Sequence, residues 1–333
     1  MMIFNPDSLR TQVEAATGGH VTVLYDDKGY PSYMRVIPKF RYEDLGFGAE
    51  LGTGVATAFL VNGQEKSEIF VGQCQASTHD GRAVALPGKD PRTSINYDQA
   101  KTACVDKGPG WHLMTRHEWA AVALWCMANG FEPRGNTDWG RAHDATHETA
   151  VRPDGYAPGD SSNGNGRTAT GGGPASWRHD GGITGIADLV GNVWEWCDGL
   201  KLMDGRVHCT QDNHFTQDEG DWSALDHYMS NESGTATLMN SAGVSNDDSI
   251  NSEWGSLAKD AGYTESQLLQ RLLFSPAGII PQGRFYVRTK GERFPICGGS
   301  WSGGSSAGLA ALSLSNARSL TSAHIGFRPA FVS

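Results

Sequence analysis

Alternation of apolar and polar positions marks short strands through the first 75 residues. Residues 21–25, Val-Thr-Val-Leu-Tyr, run into the turn Asp26-Asp27-Lys28-Gly29, and residues 33–38 form a second extended run. Residues 56–61 lead into Asn62-Gly63, a dipeptide suited to the left-handed backbone of a two-residue hairpin, and residues 67–74 are the expected return strand. The period then changes. Residues 96–104 have helical spacing. A second helix is expected from Thr115, which makes a Thr-x-x-Glu capping box with Glu118, to a stop at Asn129-Gly130. Its apolar positions, Trp119, Val122, Ala123 and Cys126, define one buried face. A short helix is expected over 265–274, and strands return at 294–297, 309–314 and 325–332.

Two stretches follow neither period. Residues 131–182 are dominated by Gly, Asn, Asp, Pro and Ser and read as long surface loop, functional or partly mobile; residues 210–262 read as a second polar insertion. This organisation suggests a β-rich N-terminal region over 1–75 and a main domain over 76–333. The 43 Gly and 10 Trp among 333 residues, with 19% charged, describe a loop-rich globule anchored by aromatics and argue against a helical bundle.

Charge narrows the function classes. Lys+Arg number 27 against 37 Asp+Glu, a net charge of −10, which disfavours a general nucleic-acid binder. No apolar run is long enough to span a bilayer. The start, Met1 to Asp7, lacks the basic and apolar regions of a signal peptide, so synthesis in a bacterial cytoplasm is expected. The six Cys are scattered, form no Cys-x-x-Cys and are expected as reduced thiols.

Several constellations invite a chemical reading. His143 and His147 lie four apart beside Glu148, a spacing that suits zinc on a helix, but the segment is Gly/Asp-rich and solvated loop histidines are the better reading. His112 and His117-Glu118 invite the same reading, but Glu118 already caps a helix, so catalysis is not expected there. The glycines of 164–173 are followed by no Gly-Lys-Ser/Thr, so a phosphate loop is not expected. Residues 183–196 are more specific. Trp194 and Trp196 share one face of an extended segment, with Glu195 on the other. Asp188, Asn192 and Glu195 place hard oxygen donors on a Gly-containing turn, which suits either a Ca²⁺ site or a tightly hydrogen-bonded turn.

The window 298–324 holds 8 Ser, 5 Gly and 5 Ala, with no acid and no Lys. A flexible linker would share this composition but not its Leu312-Ser313-Leu314-Ser315 alternation, which predicts a rigid strand with one free face.

These blocks, in order, resemble the formylglycine-generating-enzyme-like (sulfatase-modifying factor) branch of the C-type lectin fold. The resemblance rests on Leu113-Met114-Thr115-Arg116-His117-Glu118-Trp119, on Gly191-Asn192-Val193-Trp194-Glu195-Trp196, and on Gly298-Gly299-Ser300-Trp301 with Gly326-Phe327-Arg328. It covers roughly 75–333 and implies an α+β fold, two helices around small antiparallel sheets, with long loop insertions. The family's enzymes carry a redox-active cysteine pair shortly after the Gly-Gly-Ser-Trp. Here those positions are Ser, Gly, Ala and Leu, so the enzymatic activity is not carried over.

The closing block also resembles the variable region of proteins diversified by a retroelement, phage tropism determinants among them, in which template adenines are copied with errors. Adenine-only changes of Asn codons reach Ser, Gly, Ala, Leu and His. The resemblance implies a ligand surface over about 298–328 made of Ser302, Gly303, Ser305, Ser306, Ala310, Ser313, Ser315, Asn316, Leu320, Ser322, Ala323 and His324, with Leu320 and His324 its bulky members. Trp301, Phe327, Trp194 and Trp196 would be the scaffold. It implies a protein or cell-surface ligand, with association to a phage or prophage virion tail, residues 1–75 as an assembly module, and homo-oligomerisation as accompanying expectations. The alternatives from other classes are an oxidoreductase of the same fold with a relocated site, and a calcium-dependent lectin.

Overall fold

Antiparallel pairing draws the two ends of the chain into one sheet. The computed structural model describes residues 7–232, 234–243, 246–278 and 280–333. Residues 1–6, on which most of the leader reading rests, lie outside them. The strands run Val21–Tyr25, Pro31–Pro38, Glu68–Gly72, Pro329–Phe331 and Trp111–Leu113 across this five-stranded sheet, so the C-terminal strand is inserted beside an N-terminal one. The expected boundary at residue 75 therefore runs through a continuous sheet.

Local expectations fare unevenly in the N-terminal region. Helix α1 (Ser8–Thr17) was not anticipated: it buries no residue, so no apolar period announces it. Asp7 caps it by accepting from the Arg10 N–H, and Gly18 ends it at φ 61°. The expected strand at 56–61 begins instead as a 3-10 turn, Thr57–Phe59. Only Leu60–Val61 is extended, and it pairs with Gln64–Glu65 around Asn62-Gly63, at φ 49° and 71°. The hairpin is where it was expected. Its return strand is shorter, and Glu68–Gly72 pairs with Pro31–Pro38 instead.

The helices follow their capping signals. Helix α2 (Tyr97–Val105) starts in a capping box of Asn96 with Gln99, and α3 (Arg116–Ala128) in one of Thr115 with Glu118. The single buried face expected of α3 underestimates it. Every residue from Arg116 to Leu124 is buried, because the helix is enclosed by the main core. Helix α4 (Gln267–Arg271) is shorter than expected, and Leu272, Leu273 and Phe274 follow it into the core as turns.

The second sheet has 11 strands and carries the closing block. The expected polar insertion at 210–262 contributes Ser223–Ser230, Thr237–Met239 and Ile250–Glu253 to it. A second apolar cluster lies between this sheet and α2, where Tyr97 stacks on Phe294 at 4.0 Å and packs edge-on to Trp196. The segment 131–182 contains no α-helix or strand but is well fastened. Arg152 alone donates to the carbonyls of Ala157, Asp160 and Asn163. His143 and His147 lie in this irregular segment, not on a helix, and His143 bonds Thr137.

Two buried imidazoles make the fold acid-sensitive. His117, bonded to Thr57 and Thr210, and His179, which accepts from the Ile186 N–H, are each pushed down to about 4, chiefly by burial. An unfolded imidazole titrates near ~6.5, so between that pH and about 4 the unfolded chain binds protons that the folded chain refuses. Stability present above ~6.5 is lost as pH falls through this window, by up to about 3 kcal/mol per histidine. Urea unfolding at a series of pH values should show the midpoint falling steadily below ~6.5, and His117→Gln should flatten the slope. A midpoint unchanged down to pH ~4.5 would show that these groups do not titrate as described.

Candidate functional site

A double glycine opens the closing block. Gly298 and Gly299 have φ of 93° and 94°, and a Cβ on Gly299 would lie 2.4 Å from that of Ala307. The turn delivers Trp301 into the interior, where its ring stacks on His324 at 4.0 Å and leaves no room for a side chain on Gly166.

The strand Leu312–Asn316 then runs antiparallel to Glu292–Cys297 and parallel to Arg284–Val287. Leu312 and Leu314 face the core, as the alternation predicts, and Ser313 faces the other way beside Tyr286. The register to Glu292–Cys297 shifts between Phe294 and Ile296, so a bulge interrupts the period of two. Asn316, three residues on, consequently joins Ser313 on the open side, and its Nδ2 donates to both the carbonyl and the Oγ of Ser313.

Together these elements surround a depression of about 500 Å³. Trp194, Tyr286, Ile296 and Ile325 supply apolar surface; Ser300, Ser302, Ser306, Ser313 and Ser322 supply hydroxyls. No lining residue carries a formal charge at neutral pH. Burial lowers the His324 imidazole, the site's one ionisable side chain in this range, and keeps it neutral.

The backbone around the depression is held from outside the block. The Trp301 N–H donates to the Asn192 carbonyl and the Gly304 N–H to that of Thr137. In return the N–H groups of Trp139, Tyr97, Ser94 and Trp194 donate to the carbonyls of Trp301, Arg318, Ser322 and His324. Arg318 adds an ion cluster, reaching Asp98, Glu219 and Glu292. The six backbone bonds do not depend on which side chains stand at 302–324.

Of the twelve expected surface residues, Ser302, Gly303, Ser306, Ser313, Asn316, Leu320, Ser322 and His324 line the depression. Ser305 is exposed beside it, and Ala323 is half-buried outside it. Two assignments need correction. Ala310 is 0% exposed and belongs to the main core, so it presents nothing to a ligand. Ser315 is turned away by the bulge and does not line the depression. Trp301, Phe327 and Trp196 are buried, while Trp194 is half-buried and forms site wall. Tyr286 was missed. Its signal, the alternating run Arg284-Phe285-Tyr286-Val287, lies before the closing block and reaches it only through parallel pairing.

The calcium alternative for Asp188, Asn192 and Glu195 gives way to the hydrogen-bonded turn. Both Glu195 oxygens accept from Arg328, at 2.6 and 2.8 Å, and Oε1 also accepts from Gln75. Asn192 Oδ1 accepts from the Thr168 and Asn136 donors, and Asp188 Oδ2 from the Gly171 N–H. A guanidinium already occupies the position of a counter-cation, and a calcium ion there would be repelled by it. Among the described residues no group of three or more His, Cys, Asp or Glu is placed to hold a metal.

Substitutions should separate frame from surface. Glu195→Gln leaves a buried guanidinium without its charge partner and should lower unfolding free energy by about 3–5 kcal/mol. Gly299→Ala should lose about 1–3 kcal/mol from the Ala307 clash. Ser302→Ala and Ser306→Ala should stay within about 0.5 kcal/mol of the parent. Denaturant titration of the four variants measures all of these, and equal losses at frame and surface positions would contradict the division.

The wider relationships follow. The sulfatase-modifying factor enzyme 1-like domain matches residues 27–331. The fold is similar to that of PvdO from Pseudomonas aeruginosa, at 13% identity and a TM-score of 0.35, covering 93% of this chain and 97% of that one. It is likewise similar to Treponema denticola variable protein 1, at 12% identity and a TM-score of 0.36, covering 93% and 98%. No curated protein matches the sequence. With nearly its whole length matched by the family's domain, the chain belongs to the sulfatase-modifying factor enzyme 1-like family, in its C-type-lectin-like α+β fold.

Proposed function

We propose that this chain is a non-catalytic ligand-binding protein whose depression, lined from the 302–324 segment, is diversified by adenine-directed copying from a retroelement. The observation that carries this reading is the set of six backbone hydrogen bonds that hold the segment irrespective of its side chains. A fixed backbone lets side chains be exchanged without refolding, and a preorganised site loses little entropy on binding. The depression is uncharged in a chain of net charge −10, so an uncharged portion of a protein or cell-surface ligand suits it. Release by lysis as a phage or prophage receptor-binding protein would bring such a site to its target.

The oxidoreductase alternative finds less support. Residues 302–311, where the resemblance places the enzymes' cysteine pair, contain no cysteine. The calcium-dependent lectin alternative loses its candidate cation site at Asp188, Asn192 and Glu195, since Arg328 neutralises Glu195.

A library randomised at Ser302, Ser306, Ser313, Leu320, Ser322 and His324 tests the reading. Most members should unfold cooperatively, with unfolding free energies within about 1 kcal/mol of the parent, and selection against protein targets should yield binders. Their affinities should change less than about threefold between ~50 and ~500 mM salt. General loss of cooperative unfolding, or binders whose affinity survives alanine at all six randomised positions, would refute it.

A further inference from the structure

Below the depression lies a sulfur pair that the binding reading does not use. Cys197 follows the Trp194–Trp196 strand, and Cys297 ends the adjacent Glu292–Cys297 strand. Their Sγ atoms are 3.4 Å apart, and both residues are 0% exposed. Cys297 also receives a hydrogen bond from Arg116 Nη1 at 3.1 Å. Arg116 is itself fully buried, and its other donors go to the carbonyls of Leu272 and Leu273. Carbonyls bear no formal charge, so among these partners Cys297 is the one that can supply the counter-charge a buried guanidinium demands.

We propose that Cys197 and Cys297 form a buried redox-active dithiol, in which Cys297 is the thiolate held by Arg116 and hydrogen peroxide is the oxidant. The charged groups around Cys297 agree with this assignment. Burial raises its pKa, but the hydrogen bond from Cys197 and the Arg116 charge outweigh it and leave the group lowered. Cys197 is raised by burial and by that same bond, so it stays protonated. Glu195, opposite Cys297 in the strand pair, opposes the thiolate, and its charge is met by Arg328.

The chemistry balances in two steps. The Cys297 thiolate attacks one peroxide oxygen; the O–O bond breaks, hydroxide leaves, and Cys297 becomes a sulfenic acid. The Cys197 sulfur then attacks the Cys297 sulfur, the S–O bond breaks, and the Cys197 proton leaves with the oxygen as water. Two sulfurs are oxidised by one electron each, the peroxide takes up both electrons, and solvent neutralises the hydroxide. Closing the contact to a bond of ~2.05 Å needs roughly 1.4 Å of approach, shared between two side chains. The bond would tie together the two strands that carry Trp194 and Ile296 of the depression wall. This pair is independent of the family's cysteine pair, which follows the Gly-Gly-Ser-Trp.

The test uses the folded full-length chain. Treatment with a small excess of hydrogen peroxide at pH ~7, followed by alkylation in denaturant and non-reducing digestion, should yield a linked Cys197–Cys297 peptide. Cys74, Cys104, Cys126 and Cys209 should remain alkylated, and dithiothreitol should dissolve the link. In the untreated chain the thiolate ultraviolet band should titrate with a midpoint below the ordinary ~8.5, and be missing in Cys297→Ser. Cys197 and Cys297 both alkylated after other cysteines have oxidised would overturn the proposal. So would a thiolate band that disappears with an ordinary midpoint near ~8.5, a readout on the parent chain that needs no variant to fold.

Discussion

The buried pair of Glu195 with Arg328 is the constraint on which the site's geometry rests. Arg328 engages both oxygens of Glu195 and also donates to the carbonyls of Gly72 and Ala187. One guanidinium thereby joins the N-terminal sheet, the turn before the Trp194–Trp196 strand, that strand itself and the closing strands. Burying both charges is expensive, and a well-packed apolar pair is often as stable. What the ion pair adds is a geometry with few alternatives. The bidentate contact sets Ile325 beside Trp194 and Phe327 beside Trp196 in parallel register, and so places the wall of the depression.

Above this frame, the division between what is fixed and what is replaceable follows from where bonds end. Gly298 and Gly299 are needed for a left-handed turn in tight quarters, and Trp301 fills the space between Gly166 and His324. The hydroxyls of Ser302 and Ser306 touch no such requirement, so changing them alters the surface and not the fold, whereas Ser322 Oγ accepts from the His324 N–H. The Arg318 cluster belongs with the frame despite lying inside the window, because its partners come from α2, from the turn at Glu219 and from the start of the Glu292–Cys297 strand. Surface variation therefore does not extend to every residue between Trp301 and Phe327.

Much of this was legible in the sequence where a local signal had a local cause. Thr115 with Glu118, Asn62-Gly63 and the Leu312/Leu314 alternation each act through neighbouring backbone, and each is found where expected. Helix α1 escaped because it buries nothing. Asp188, Asn192 and Glu195 left two readings open because a donor set for a cation and an acceptor set for a guanidinium look alike until the partner, 133 residues away, is known. One bulge turns Ser315 away from the depression and keeps Asn316 on its side, since an inserted residue inverts the parity on which facing is read. Tyr286 entered the site by parallel pairing, which no spacing within the closing block can reveal.

The central claim is that side chains over about 302–324 are replaceable because the backbone beneath them is not. The measurement that bears on it most directly is the DNA sequence of the gene's 3′ end from many clones, with the downstream flank. The account predicts a near-copy of the segment encoding 298–328 beside a reverse-transcriptase gene, with differences concentrated at adenines. It also predicts that the changed codons fall at depression positions such as Ser302, Ser306, Ser313, Leu320 and His324, and spare Gly299, Trp301, Ala310, Arg318 and Phe327. An invariant 3′ end with no such copy, or changes spread evenly over frame and surface, would contradict it.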